Sequence, residues 1–322
     1  MDGYKRISRN YKHGPKFKMR IGLVTGRSGS TLVRHLVKLG HDVFLVSGSK
    51  LDSGYELARD SYIRYIPKEN YTKSHIQDLV EFLVHSEIDG FILGTGVWFA
   101  HDIAKELHEK GIRVSHDIFT IDVFKNKLRT KDLFVQNSFS VARHVTDLAS
   151  VNELTFPIVL KSNIDLFAVC KFDDKQTLID YVNSLDGQII SRGLIIEEYL
   201  EGSDATIPIF IEKNGKCFSP GVVYWSKQSN YKLEGFEEYR QQWLDKETEK
   251  DLVNIAKSFI QKMDYYGVCR FDIRFNEEKI VWLEINSVVS IRNSGSSFKA
   301  LEAVGVNYVE LALETYLNNI RK

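Results

Sequence analysis

Residues 269–275, CRFDIRF, and residues 280–286, IVWLEIN, decide how this chain is read. Both are short, rich in aromatic and β-branched residues, and separated by the turn residues 276–279, which predicts an antiparallel hairpin. On the second strand Glu284 and Asn286 are two apart, so both project from one face. Asp272 on the first strand faces Glu284 if the loop is odd, with 276 opposite 280 across three residues or 275 opposite 281 across five. A two-residue loop sets Leu283 opposite Asp272 and turns Glu284 to the other face, unless a bulge resets the register. Two carboxylates and an amide on one sheet face are hard oxygen ligands, a set that suits Mg²⁺ when phosphate oxygens complete its shell. The plainer alternative is a pair of solvated strand positions.

Working outward, the 322 residues exceed one ordinary core and suit two or three subdomains. Apolar residues make up 43% and charged residues 27%, which excludes a mainly disordered chain. The 43 basic side chains balance the 43 acidic ones, so no global field draws the protein onto nucleic acid or an anionic membrane, and a small ligand is the better expectation. Apolar runs fall short of the roughly 20 residues of a membrane helix, and residues 1–18 lack an apolar signal core. With Cys170, Cys217 and Cys269 far apart and odd in number, the expected compartment is the reducing cytoplasm, each cysteine serving as a small hydrophobe.

Residues 1–18 read as a basic flexible extension, with six lysines and arginines and almost no aliphatic content. From residue 19 to 115 strands alternate with helices: strands at 21–24, 41–47 and 90–94, and helices at 30–39, 74–85 and 99–110. That order predicts a Rossmann-like α/β domain with a parallel sheet. Gly26, Ser28 and Gly29 form a strand-to-helix turn, which lacks the third glycine of a dinucleotide fingerprint. After residue 116 the pattern becomes α+β: helices at 122–136, 176–185, 246–263 and 298–319, and strands at 157–161, 194–199, 206–212 and 217–225 besides the hairpin. We divide this part into a central subdomain, 116–196, and a C-terminal subdomain, 197–322.

Charges also stand where a buried strand or helix face would not call for them. Lys161 ends the apolar strand PIVLK, placed as a point charge for a phosphate; Lys127 and Lys131 lie four apart on one helix face. Snorkelling at the surface is the alternative for all three. Residues 194–204, LIIEEYLEGSD, run a buried strand into adjacent acids and a glycine, a pattern fit for a hinge whose backbone reads a planar base.

In this order the elements resemble an ATP-grasp enzyme over residues 19–315, nearest to the D-alanine:D-alanine ligase and biotin carboxylase branches. Residues 126–131, NKLRTK, resemble the family's DKLRTK, with Asn126 in place of aspartate; residues 157–161 are similar to its PVVVK strand. The resemblance implies ATP and Mg²⁺ (or Mn²⁺) as cofactors. Lys127 and Lys161 would bind phosphates, with Lys131 in support. Glu197 and Glu198 with Leu200 would form the adenine hinge, through the Glu198 carbonyl and the Leu200 N–H. Asp204 would take the ribose, Asp272, Glu284 and Asn286 the metal, and Arg270 would be the catalytic arginine that stabilises the charged intermediate. The implied activity is an ATP-dependent carboxylate–amine ligase that forms an amide or peptide bond through an acyl phosphate, with small carboxylates and amines as substrates, amino acids or a short peptide among them. A second copy of the chain is a candidate partner. The alternative is a non-catalytic nucleotide-binding module or partner subunit. Two departures stand out: residues 162–169 hold no glycine where the family has a glycine-rich phosphate loop, and residues 287–290, SVVS, replace the proline-glycine turn of the D-alanine ligases. The second speaks against D-alanine, with Arg292, Asn293, Ser294, Ser296 and Ser297 offering other donors at that rim.

Overall fold

The computed structural model describes residues 18–25, 30–48, 53–63, 74–94, 99–164, 169–224, 244–287, 289 and 307–321. The loop at Gly26, Ser28 and Gly29, the heart of the 162–169 segment (165–168) and the rim donors of 292–297 lie outside these residues.

Three sheets form the frame. The first is parallel and combines β1 (Arg20–Thr25), β2 (Asp42–Ser47), β3 (Asp60–Ile63), β4 (Gly90–Leu93) and β5 (Arg113–Val114) in the order β3-β2-β1-β4-β5. Its inner strands β1, β2 and β4 are apolar on both sides, because helices cover both faces. Helix α1 (Ser30–Lys38) packs on Ile21, Leu23, Val43 and Leu45; α2 (Ser74–His85) and α3 (Ala100–Glu109) pack on Val24, Phe44, Val46, Phe91 and Leu93. In this sheet the sequence pattern does not mark β3, which is half polar, or β5, which has two residues.

Helices α4 (Ile118–Phe124) and α5 (Lys127–Gln136) follow where one helix over 122–136 was expected. Asn126 makes the break: it leaves helical geometry, and its Oδ1 accepts from the Arg129 N–H at 3.0 Å as the N-cap of α5. The second sheet is antiparallel, β6-β9-β7-β8, built from β6 (His144–Val145), β7 (Ile158–Ser162), β8 (Cys170–Phe172) and β9 (Leu194–Glu198). One face buries Ile158, Leu160, Leu194 and Ile196 against Leu178 and Val182 of α6 (Lys175–Ser184), which the short α7 (Gly187–Ser191) links to β9, and Val159, Lys161, Ile195 and Glu197 lie on the other.

The third sheet holds β10 (Ser203–Ile211), β11 (Cys217–Phe218), β12 (Val223–Tyr224), β13 (Gly267–Phe275) and β14 (Ile280–Asn286), ordered β11-β10-β13-β14 with β12 also on β10. The single strand expected over 217–225 is thus two short pieces. One face of this sheet is apolar: Ala205, Ile207, Phe271, Ile273 and Trp282 join Phe134 of α5 and Phe259 of α8 (Lys246–Lys262) in the main core. Ring contacts of Phe134 with Phe271 and Trp282, at 6.2 and 6.1 Å between centroids, fix α5 on this sheet. The other face is divided. Its far end, Phe210 and Val268, is covered by α9 (Tyr308–Ile320), which also packs on the first sheet. Gly90 permits that approach, since a Cβ there would come 2.7 Å from the Cβ of Ile320. The near end carries charge. The helix expected over 298–319 is observed from Tyr308, and 298–306 lie outside the described residues.

The hairpin takes the even loop. Phe275 pairs with Ile280, and the Asn276 N–H donates to the Lys279 carbonyl, leaving Glu277 and Glu278 as the two-residue turn. Of the registers the sequence leaves open, the structure takes the two-residue loop with a bulge. Asp272 nonetheless faces Glu284, because a bulge between the Ile273–Trp282 and Asp272–Glu284 pairs absorbs Leu283 and resets the register.

Candidate active site

The charged near end of the third sheet meets the polar face of the second across the N-terminus of α5. Strand alternation puts Asp204 and Thr206 of β10, Arg270, Asp272 and Arg274 of β13, and Glu284 and Asn286 of β14 on one surface. Asp272 is buried, so the solvated alternative does not hold. Its two oxygens accept from Arg270 Nε and Nη2, both at 2.9 Å, a bidentate pair. The Asn286 amide donates to Asp272 Oδ2 at 2.7 Å and to Glu284 Oε1 at 2.9 Å. One nitrogen within reach of an oxygen from each carboxylate means that both oxygens look toward a common point.

Three lysines complete the site, and none snorkels. Lys127 and Lys131, four apart on α5, are both buried and point to different sheets. Lys127 pairs with Glu284 of the third sheet; Lys131 Nζ lies 2.7 Å from Glu197 Oε2 of the second. Lys161 takes the other oxygen, Oε1, of Glu197. Register explains that choice: Val159 faces Glu197 across β7 and β9, so Lys161, two residues on, lies diagonally on the same side. The start of α5 is tied to the end of β7, since the Lys127 and Leu128 N–H groups donate to the Asn163 carbonyl and Oδ1 at 3.2 and 3.1 Å. The Asn163 side-chain oxygen thus serves the helix terminus.

Charge states follow from these contacts. Burial would raise Glu197, but Lys161 and Lys131 outweigh it and bring the carboxyl down to about 2. Burial would likewise raise Glu284, and Lys127 with help from Asn286 and Lys161 carries it down to about 2. Asp272 goes the other way, up to about 6, because burial and the neighbouring Glu284 exceed what Arg270 returns. Burial lowers Lys131, against the pull of Glu197.

At the outer end Asp204 faces Arg274, Oδ1 to Nη1 at 3.7 Å, and burial raises its pKa against Arg274 and Lys161. Arg274 stacks over the Tyr199 ring, 4.6 Å to the centroid, and donates to the Tyr199 hydroxyl at 3.1 Å. Sequence reasoning missed Arg274 and Tyr199. The alternation in CRFDIRF marks Arg274 as plainly as Arg270, whereas nothing local marks Tyr199. Glu198 Oε1 accepts from the Thr155 N–H at 3.0 Å, and Leu200 is buried just beyond β9.

Among the described residues no three His, Cys, Asp or Glu side chains gather as a metal cluster. The set on the sheet is two carboxylates and one amide, which fits a cation whose remaining ligands are water and phosphate oxygens, the usual habit of Mg²⁺.

Over residues 129–315 the sequence matches the family described as D-ala D-ala ligase C-terminus. The chain belongs to that family. The D-alanine–D-alanine ligase of Buchnera aphidicola subsp. Schizaphis graminum is 22% identical over 89% of this chain and 92% of its own length. The biotin carboxylase domain of Hydrogenobacter thermophilus 2-oxoglutarate carboxylase, solved with MgADP and bicarbonate, superposes with a TM-score of 0.75 at 14% identity, covering 93% of this chain and 70% of that one. The L-amino acid ligase of Bacillus licheniformis gives 0.70 at 18% identity, with 95% and 75% covered. The fold is the ATP-grasp fold, and the family's chemistry is ATP-dependent ligation of a carboxylate to an amine. Among the described residues no helix is long and apolar enough to cross a membrane.

Proposed function

We propose that this chain activates a small carboxylate with ATP and couples it to an amine, amino acids or a short peptide being the substrates to test first. A carboxylate oxygen attacks the γ-phosphorus, the bond to the β-γ bridging oxygen breaks, and ADP leaves with its electron pair. The amine nitrogen then attacks the acyl carbon of the acyl phosphate, loses a proton, and phosphate departs. Little covalent help is needed, so the protein's work is positioning and charge neutralisation. The observation that carries this reading is Arg270. Its guanidinium forks over Asp272, which the Asn286 amide joins to Glu284, so an arginine stands beside the proposed cation site.

Lys127 and Lys161 are the cations for the phosphates, each now held by an acid, Glu284 and Glu197. Asp272, Glu284 and Asn286 would hold Mg²⁺, which when bound supplies charge neutralisation to the phosphate oxygens. Glu198 and Leu200 are proposed for the adenine edge and Asp204 for the ribose. Arg270 steadies the developing charge of the transferring group and of the tetrahedral intermediate.

The test is ADP release in a screen of amino acids and dipeptides, followed by the mass of the product. ADP formation that requires an added acid, with a product lighter by one water than its two components, is the expected result. Acid-independent ADP release, or none with any acid and amine, would overturn it.

A further inference from the structure

Lys131 reaches no open space. Its side chain is 1% exposed, and its ammonium ends on Glu197 Oε2, itself inside the protein. Lys161, on the other oxygen of that carboxylate, is the more exposed of the two, at 12%. A carboxylate holding a single ammonium would present a neutral pair to an anion approaching from the site. With two ammonium groups on one carboxylate the group keeps one net positive charge, and the partner that supplies it is the buried one. α5 delivers Lys127 to the third sheet and Lys131 to the second from positions four apart, so the same helix face sets the charge on both walls.

We infer that Glu197 and Lys131 are positioning residues that set the charge of the phosphate site from behind it: Glu197 aims Lys161, and Lys131 cancels the charge that Glu197 would otherwise remove from Lys161. The inference rests on the reading of Lys161 as a phosphate-binding cation. It assigns the Glu197 side chain to the lysines, whatever the backbone beside it reads. In a partly buried site one unit of charge at the distance of a neighbouring side chain changes the binding constant of an anion by about ten- to a hundredfold.

The experiment is calorimetry of Mg-ADP and of adenosine on the full chain, with Lys161→Met, Lys131→Met, Glu197→Gln and the double variant Lys131→Met/Glu197→Gln. Lys131→Met is expected to weaken Mg-ADP at least about tenfold while adenosine affinity holds. The double variant, which again has one cation and no acid, is expected to recover to within about threefold of the wild type. Rescue by a second removal is what a merely structural lysine does not give. If Lys161→Met weakens Mg-ADP but Lys131→Met does not, or if the two losses in the double variant add, the inference is overturned while the reading of the site stands. If Lys161→Met leaves Mg-ADP binding unchanged, both fall together. Should Lys131→Met not fold, the salt dependence of Mg-ADP binding in Glu197→Gln reads the same charge. It should be steeper than in the wild type, and an equal slope would overturn the inference.

Discussion

Glu197 and Asp272 are both buried carboxylates in this site, and the protein treats them in opposite ways. Glu197 lies on the second sheet between two ammonium groups and is held down to about 2; Asp272 lies on the third sheet with one guanidinium and another acid beside it and is pushed up to about 6. Burial is the largest influence on each, and it acts in the same direction. The difference is the number of cations each receives. Glu197 has its full complement within the chain. Asp272 is short of positive charge, although it is forked by Arg270 and bonded by Asn286. A carboxylate left in that state favours a further cation, and this separates an acid held wholly within the chain from the one proposed for the metal.

The comparison can be broken first through stability. Glu197→Gln leaves Lys131 and Lys161 facing each other without an acid, and removing one partner of a buried ion pair typically destabilises by about 3 to 5 kcal/mol. Asp272→Asn removes a charge that its surroundings disfavour, while Glu284 stays near Arg270, so its loss should be clearly smaller. Chemical denaturation of both variants at pH 8 is the check, and equal losses would show that the two acids do the same job.

Arg270→Lys tests the partner of the under-neutralised acid. A lysine keeps the charge but not the fork. Folding and Mg-ATP affinity should be close to those of the parent, with turnover lower by about 10² to 10³, as when one preorganised donor to a developing charge is lost. A structural arginine would give the reverse pattern: a lower melting temperature with turnover per folded molecule retained.

Proton linkage gives the two acids opposite windows. Glu197 has a folded pKa below its ordinary 4.5, so the stability it contributes is present above about pH 4.5 and lost as pH falls through about 2. Asp272 has a folded pKa above its ordinary 3.8. Its contribution is present below that value and lost as pH rises through about 6, where the ionised form takes over. Mg²⁺ competes with that proton, so the magnesium-dependent part of ADP binding should weaken about tenfold per pH unit below about pH 6. Titrations from pH 5 to 8 that show a flat magnesium dependence would remove Asp272 from the cation site.

The same contrast marks what could be read in advance. Period-two spacing put Glu284 and Asn286 on a common face and left Asp272 to the hairpin register, and the structure brings all three together. The even loop and the bulge at Leu283 were not legible, because a bulge depends on how the strand pairs and leaves no compositional trace in IVWLEIN. In LIIEEY two adjacent acids point to opposite faces, and only the Val159–Glu197 register tells which one meets the lysines. Residues 118–136 follow the parallel domain and precede the second sheet, yet Phe134 packs on the third. Local sequence cannot announce such a long-range contact.

The smallest effect expected is at Asp204, which lies between these two regimes. Its carboxyl is raised by burial like that of Asp272, and it too has a single guanidinium, Arg274 at 3.7 Å. The fold does not depend on that pair alone, because Arg274 also donates to the Tyr199 hydroxyl and stacks on its ring. Asp204→Ala should therefore fold normally. If its carboxylate takes the ribose, ATP binding weakens by about 1 to 3 kcal/mol, the range for a hydrogen bond to a charged group. ATP lacking a ribose hydroxyl separates that contact from a general loss of charge: the deoxy nucleotide should bind the parent more weakly than ATP does, and the variant should bind both alike. A variant that still prefers ATP by the parent's full margin would show that Asp204 serves Arg274 and not the nucleotide.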